Sequence, residues 1–312
     1  MKFSEELQNE VLNEYVNLRM TPTLISKKHN LCDQAIYRML KRKGVTFGKS
    51  NIPLKYKYSI DETYFDNIDF PDKAYFLGLI AADGQYASDS NKHLFLGQVE
   101  SDKEVLESFL KYTKSNYPIK IVDRSKEGPN QQNKALLRIT NPRFTQNLEN
   151  LGIHNNKSFT VTIPELRVDL YSHYIRGFFD GDGCMYLSEK NNRLFRASFD
   201  GPDKYILHIK ELLERFGGMQ GGNLYRKLLV DNTQVWTSLG YGGRNQIKNL
   251  FKYLYEGTDP SLRLNRKYLK MKKVVDYQGD IRENMNTSLN KGARQSANRQ
   301  QNLDRYTSST TH

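Results

Sequence analysis

Two apolar segments ending in Asp-Gly, 99 residues apart, constrain this chain more than any other feature. The first reads Ala74-Tyr75-Phe76-Leu77-Gly78-Leu79-Ile80-Ala81-Ala82-Asp83-Gly84, and the second Tyr174-Ile175-Arg176-Gly177-Phe178-Phe179-Asp180-Gly181-Asp182-Gly183. Each is long and apolar enough for a buried helix, and recurrence at a fixed period marks a duplicated unit. The segments downstream of the two copies are parallel too. After Gly84 come a short polar strand, a strand over His93–Val99, and a helix opened by Asp102-Lys103. After Gly183 come Met185–Ser188, Leu194–Phe199, and a helix opened by Asp203-Lys204. Two further strands close each copy, Ile119–Asp123 and Ala135–Thr140 in the first, Gly222–Leu229 and Gln234–Leu239 in the second. A last helix comes next, Pro142–Leu151 or Arg244–Tyr255. The pattern predicts an α+β core of order αββαββα, twice, with repeat 1 over 63–165 and repeat 2 over 166–277.

Within the two helices small residues stand four apart, Gly78 with Ala82 and Gly177 with Gly181. Such pairs let helix backbones approach closely, because no side chain holds them apart. A seam of this kind would bring Asp83 and Asp182 together at two helix C-termini, where the helix dipole is already negative. Two carboxylates in that position call for a cation, which a divalent metal site supplies.

The formal charge of +12, from 47 Lys+Arg against 35 Asp+Glu, puts a polyanion first among partners. Residues 1–58 carry 11 of the basic and 5 of the acidic residues, so half the excess lies in under a fifth of the chain. There, Leu7, Val11, Leu12, Tyr15 and Val16 have helical spacing. Pro22, Leu24, Ile25 and His29 form a second short segment, and Asp33 is placed to cap a third that runs to Gly44. This front part, 1–45, resembles a helix-turn-helix unit of the resolvase or transposase sort. That resemblance implies a reading helix over Asp33–Lys43 presenting Gln34, Arg38, Lys41 and Arg42 to DNA. A three-helix packing module with a solvated basic face is the competing reading. Residues 46–62 read as a basic linker, and 278–312, rich in Asn, Gln, Ser, Thr and Arg, as a disordered tail. Cys32 and Cys184 are too few for a disulfide framework or a four-thiolate zinc site. No run of about 18 apolar residues and no signal peptide are present, so the expected location is the host cytoplasm or nucleoid, with no membrane partner.

The two nonapeptides, Phe76–Gly84 and Ile175–Gly183, with the repeat around them, resemble the LAGLIDADG homing endonuclease family over about two thirds of the chain. Ala81 departs from the acidic position of the first motif, and Arg176 is unusual in the second. The Asp before the final Gly is present in both. The resemblance implies a pseudo-two-fold fold with saddle-shaped antiparallel sheets along the major groove of DNA. It implies cleavage of both strands by phosphodiester hydrolysis with Mg2+, for which Mn2+ can substitute. The metal site would comprise Asp83 and Asp182, with Gly84 and Gly183 beside them. Lys157 and Lys267 occupy the places of a basic residue after each repeat's last helix; stabilising the cleaved phosphate and anchoring an intact one are both compatible with them. Gln98 stands where a polar residue of the second strand orders water, with Phe199 or Asp200 opposite it in the other copy.

On this reading the chain is a site-specific double-strand endonuclease of a mobile genetic element. It would act as a monomer on a long, largely asymmetric duplex, since unlike halves need not read the same bases. Two other functions remain compatible with the same pattern: a non-cleaving transcription regulator, whose relatives tend to lose the acids kept here, and an intron maturase that binds RNA. Asp180-Gly181-Asp182-Gly183 is not a calcium loop, because Cys184 and Met185 stand where the EF-hand needs an acid or Asn and then Gly.

Overall fold

A computed structural model of the chain describes residues 3–16, 18, 20–45, 58–86, 93–128, 131–154, 161–188, 195–228 and 235–277. The expected tail over 278–312 and most of the expected linker, 46–57, lie outside the described residues.

Three helices come first: α1 (Glu5–Val16), α2 (Pro22–His29) and α3 (Asp33–Arg42). Thr21 caps α2 by accepting from the Leu24 N–H, with Pro22 at the first helical position, where its missing donor costs nothing. Asn30 ends that helix in the left-handed conformation that asparagine tolerates. The expected cap at Asp33 is corrected: Cys32 is the N-cap, and the Asp33 carboxylate accepts instead from the Thr23 and Ser26 hydroxyls, tying α3 to α2. Val11, Tyr15, Ile25, Ile36, Met39 and Leu40 form a small core of their own.

The remainder is the duplicated fold the repeat predicts. Repeat 1 runs α4 (Pro71–Asp83), β1 (Gly84–Tyr86), β2 (Leu94–Val99), α5 (Glu104–Tyr112), β3 (Ile119–Val122), β4 (Lys134–Ile139) and α6 (Pro142–Asn150). Repeat 2 runs α7 (Tyr171–Asp182), β5 (Cys184–Leu187), β6 (Phe195–Pro202), α8 (Asp203–Phe216), β7 (Asn223–Leu228), β8 (Val235–Gly242) and α9 (Arg244–Tyr255). Each repeat forms an antiparallel four-stranded sheet with the same order, β1-β2-β4-β3 and β5-β6-β8-β7. On β2 the core face alternates as a half-buried strand should, with Leu94 and Leu96 fully buried. Both sheets and the helices behind them share one continuous core.

Two expectations are revised. Residues 58–62 are not linker: Tyr58 and Ile60 pack on the core, and the Asp61 N–H donates to the Thr113 carbonyl. A further helix, α10 (Asn265–Asp276), comes after α9 and packs against it, with Met271 and Val274 buried. No described helix is long and apolar enough to cross a membrane.

Candidate functional site

Helices α4 and α7 lie against each other along the pseudo-two-fold axis, closer than side chains normally allow. A Cβ placed on Gly78 would fall on the Tyr174 carbonyl, and one on Gly177 on the Tyr75 carbonyl. Glycine at both positions is therefore a requirement of backbone contact. One turn further on, a Cβ on Gly181 would overlap the Ala82 methyl and lie 3.0 Å from the Asp83 carboxylate. The two helices consequently end side by side, and the residues that complete them are Asp83, half-buried, and Asp182, exposed. Gly84 and Gly183 then turn the chain into β1 and β5, with their N–H groups still bonded to the Ile80 and Phe179 carbonyls.

The settings of the two acids differ. Gln98, 7 % exposed on β2, donates its side-chain amide to Asp83 at 2.5 Å. The strand ladders identify its counterpart in repeat 2. Leu96 faces Gly84 and Leu137; Phe199 faces Leu239 and, one step beyond Cys184–Ser198, Gly183. Two residues on, Gln98 corresponds to Gly201, not to Phe199 or Asp200. The hairpin between motif and strand is four residues longer in repeat 2, which hides this correspondence from a fixed repeat period. Asp200 lies on the other face of β6, where it accepts from the Ser198 hydroxyl.

Lys267 is also corrected. It belongs to α10 rather than to a loop, is 3 % exposed, and spends its ammonium on backbone: it donates to the carbonyls of Phe179 and Asp180 at 2.7 Å, Gly181 at 3.1 Å and Gly183 at 2.5 Å. The Asp180 and Gly181 carbonyls belong to the last turn of α7, the Phe179 carbonyl is shared with the Gly183 N–H, and the Gly183 carbonyl lies just past the helix, so the lysine acts as a helix cap. Burial pulls it down to about 8, against the attraction of Asp180, Asp83 and Asp182. The Gly183 carbonyl, expected beside a metal, is turned to this ammonium. Lys157 lies outside the described residues.

Asp180, Arg176 and Arg266 are charged groups of this region to which the sequence reading assigns no role, although Arg176 stands out there as unusual in its motif. Asp180, 1 % exposed, accepts from the Tyr75 hydroxyl at 3.0 Å, the Tyr255 hydroxyl at 2.5 Å and the Leu264 N–H at 2.8 Å. Burial raises its pKa, opposed by Tyr255, Lys267, the Leu264 N–H and Arg176. Burial and the facing carboxylate push both phenols well above their ordinary range, so they remain donors. Arg176, fully buried, donates to the Leu262 and Leu254 carbonyls at 2.8 and 2.9 Å and lies over the Tyr75 ring. Arg266 reaches across to repeat 1 and pairs with Asp102 at 2.6 Å. The sequence signal for this network was present: Asp180 and Arg176 are charged residues inside an otherwise apolar helix.

In the three-helix unit Gln34, Arg38, Lys41 and Arg42 are all exposed on α3. Among the described residues Glu10, Glu14 and His29 also lie close enough to hold a cation, but both carboxylates already face the Lys28 ammonium and Glu14 also pairs with His29.

The donor set fits a hard divalent cation: two carboxylates, each on the last residue of helices that end side by side and whose ends are themselves negative.

No family model and no curated protein matches the chain. Among solved structures it is similar to the homing endonuclease I-WcaI bound to its DNA recognition sequence, with TM-score 0.44 and 11 % identity over 73 % of this chain and 97 % of that one. It is similar to the N-terminal LAGLIDADG domain of DUF199/WhiA, with TM-score 0.39 and 17 % identity over 71 % and 91 %. A third is the meganuclease I-SmaMI bound to uncleavable DNA, with TM-score 0.40 and 14 % identity over 67 % and 89 %.

Proposed function

We propose that this chain is a DNA endonuclease of the LAGLIDADG type, which hydrolyses both strands of a duplex at a centre formed by Asp83 and Asp182. The observation that carries this reading is the convergence of two carboxylates at the paired ends of α4 and α7, on a pseudo-two-fold axis between two equivalent sheets. Two phosphodiesters on opposite strands are themselves related by a two-fold axis, so two acids related in the same way suit a double-strand cut.

Asp83 and Asp182 would hold Mg2+, with Mn2+ as a substitute; the cation supplies charge stabilisation at the phosphate and a more acidic water. The chain's own contribution is placement. Gln98 fixes the Asp83 carboxylate, and the backbone contact at Gly78 and Gly177 fixes the separation of the two helix ends. The sheets would lie along a long, asymmetric DNA target bound by a monomer. The three-helix unit would extend that target through Gln34, Arg38, Lys41 and Arg42, whose charge contributes salt-dependent phosphate binding.

The test is cleavage of DNA carrying the uninterrupted insertion locus of the gene, in Mg2+, with wild type, Asp83→Asn and Asp182→Asn at matched DNA occupancy. The expected result is double-strand cutting with short 3′ overhangs by the wild type, abolished in both variants while binding persists. Tight sequence-specific binding without cutting in Mg2+ or Mn2+ would replace this reading with the non-cleaving regulator, and RNA binding with the maturase.

A further inference from the structure

The sheet of repeat 2 has one face on the core, where Ala197, Phe199, Leu239 and Tyr241 are buried. Its other face begins at Cys184, which is exposed and only two residues past Asp182, so a duplex with a phosphate at that acid lies over this open face. Along β6 the open face presents Arg196, Ser198 and Asp200 in succession, since alternate residues of a strand point the same way. The Asp200 carboxylate accepts from the Ser198 hydroxyl at 3.2 Å. The Arg196 guanidinium lies over Gly240, where a Cβ would fall on its Nε, Cζ and Nη2 atoms. Gly240 is buried although it belongs to the open face, and it pairs with Ser198, which pairs in turn with Cys184. The backbones of Arg196 and Asp200 are four residues apart, about 13 Å at the rise of a strand. Their charged heads lean toward each other, onto the Cys184–Ser198–Gly240 rung, the first of β5 after the motif helix.

A guanidinium is a fork of donors, and a carboxylate accepts only. In the major groove guanine alone presents two acceptors on one base edge, O6 and N7, and its partner cytosine presents an amino donor. We propose, on the reading that the sheets lie along DNA, that Arg196 and Asp200 are specificity-determining residues that read one G·C pair close to Asp182, with the guanine under Arg196 and its cytosine under Asp200. Reversing the pair sets the fork against an amino group and the carboxylate against O6 and N7, so the wrong orientation is repelled as well as left without contacts. Gly240 is a positioning residue in this scheme. A fork laid against backbone loses less freedom when it binds than a free one, so glycine at 240 contributes to selectivity without touching a base.

The experiment selects bound duplexes from a random-sequence library with the full-length protein in Ca2+, a hard cation suited to carboxylate ligands. Competition between the enriched sequence and its single-pair replacements then follows, for wild type, Arg196→Ala, Asp200→Ala and Gly240→Ala. Selectivity is a ratio within each protein, so changes in overall affinity or stability cancel. The wild type is expected to prefer G·C at one position over C·G and both orientations of A·T. Arg196→Ala lowers that preference by about 5- to 150-fold, the span for one bidentate base contact. Asp200→Ala and Gly240→Ala lower it at the same position, and preferences at distant positions stay within about twofold, since separated pairs contribute additively. Weaker binding to every sequence with the preference intact would make Arg196 a phosphate contact and overturn the assignment. Losses at two separate positions would overturn it too, because the heads would then read different pairs, and an unchanged preference in Gly240→Ala would overturn the platform. A wild type that enriches no sequence fails the site-specific DNA reading and this assignment with it, whereas a protein that binds without cutting fails only the nuclease reading.

Discussion

The Gln98 amide reaches one of two acids that the sequence presents as equivalents. Gln98 donates to Asp83 from a position nine-tenths buried, and Gly201 takes its place in repeat 2. Replacing Gln98 by Leu removes the donor while keeping the side chain's bulk on the core face of β2. Activity is expected to fall about 10- to 100-fold with little change in unfolding free energy, checked by single-turnover cleavage beside urea denaturation. Lys267 behaves in the opposite sense. Its ammonium satisfies four carbonyls and is shielded from solvent, so Lys267→Met should cost about 3–5 kcal/mol, the range for breaking a buried charged network by removing one member. Urea unfolding monitored by the fluorescence of Trp236, the chain's only tryptophan, measures this; a loss under about 1 kcal/mol would mean that water replaces the lysine at the helix end.

At the level of the element, the seam between α4 and α7 is the most demanding contact in the fold. Gly78→Ala and Gly177→Ala each drive a methyl into a carbonyl of the facing helix, and backbone cannot move aside as a flexible side chain can. Each is expected to cost at least about 3 kcal/mol, at or beyond the upper end of ordinary overpacking. Gly97→Ala on β2 meets nothing nearer than the Leu136 methyl at 3.4 Å and should be nearly neutral, so thermal unfolding of the three variants side by side separates the seam from an ordinary strand position. The elements of the core were legible because apolar periodicity and the repeated Asp-Gly ending are local properties of the chain. Relations between elements were not. Gly201 could be matched to Gln98 only through hydrogen-bonded register, since the longer hairpin of repeat 2 shifts the spacing. The role of α10 was hidden because a lysine that caps another helix reads, in sequence, like any lysine on a basic amphipathic surface. In the three-helix unit, Glu14 is buried between α1 and α2; although burial opposes its charge, hydrogen bonds from Lys28 and His29 hold its carboxyl below the ordinary 4.5. A depressed folded-state pKa means that this contribution is present above about pH 4.5 and is lost as pH falls further. Hydrogen exchange of peptides from 5–42, corrected for intrinsic rates, should show protection falling below that pH, and Glu14→Gln should abolish the dependence.

For the whole molecule the decisive property is how charge is distributed against the duplicated body. Half of the +12 excess lies in residues 1–58: 1–45, which has a small core of its own, carries 8 basic and 5 acidic residues, and 46–58 carries 3 basic ones. The acids of the centre sit on the seam of the other part. A chain arranged in this way can gain affinity for a polyanion without placing its cations at the chemical centre, and long-range attraction to DNA can be altered independently of cutting. The consequence is measurable in the full-length protein. Arg38→Ala, Lys41→Ala and Arg42→Ala together remove three exposed cations from α3 while leaving its buried face, Ile36, Met39 and Leu40, intact. If these side chains meet phosphates, the slope of log K against log salt should become shallower by about 2 to 3 units, since each phosphate contact contributes about 0.9. The single-turnover cleavage rate at saturating protein should be unchanged, because bound DNA no longer needs the attraction that brought it there. An unaltered salt slope would make the three-helix unit a packing module with a solvated basic face. A shallower slope together with slower cutting at saturation would show that it also sets the position of the duplex on the two sheets.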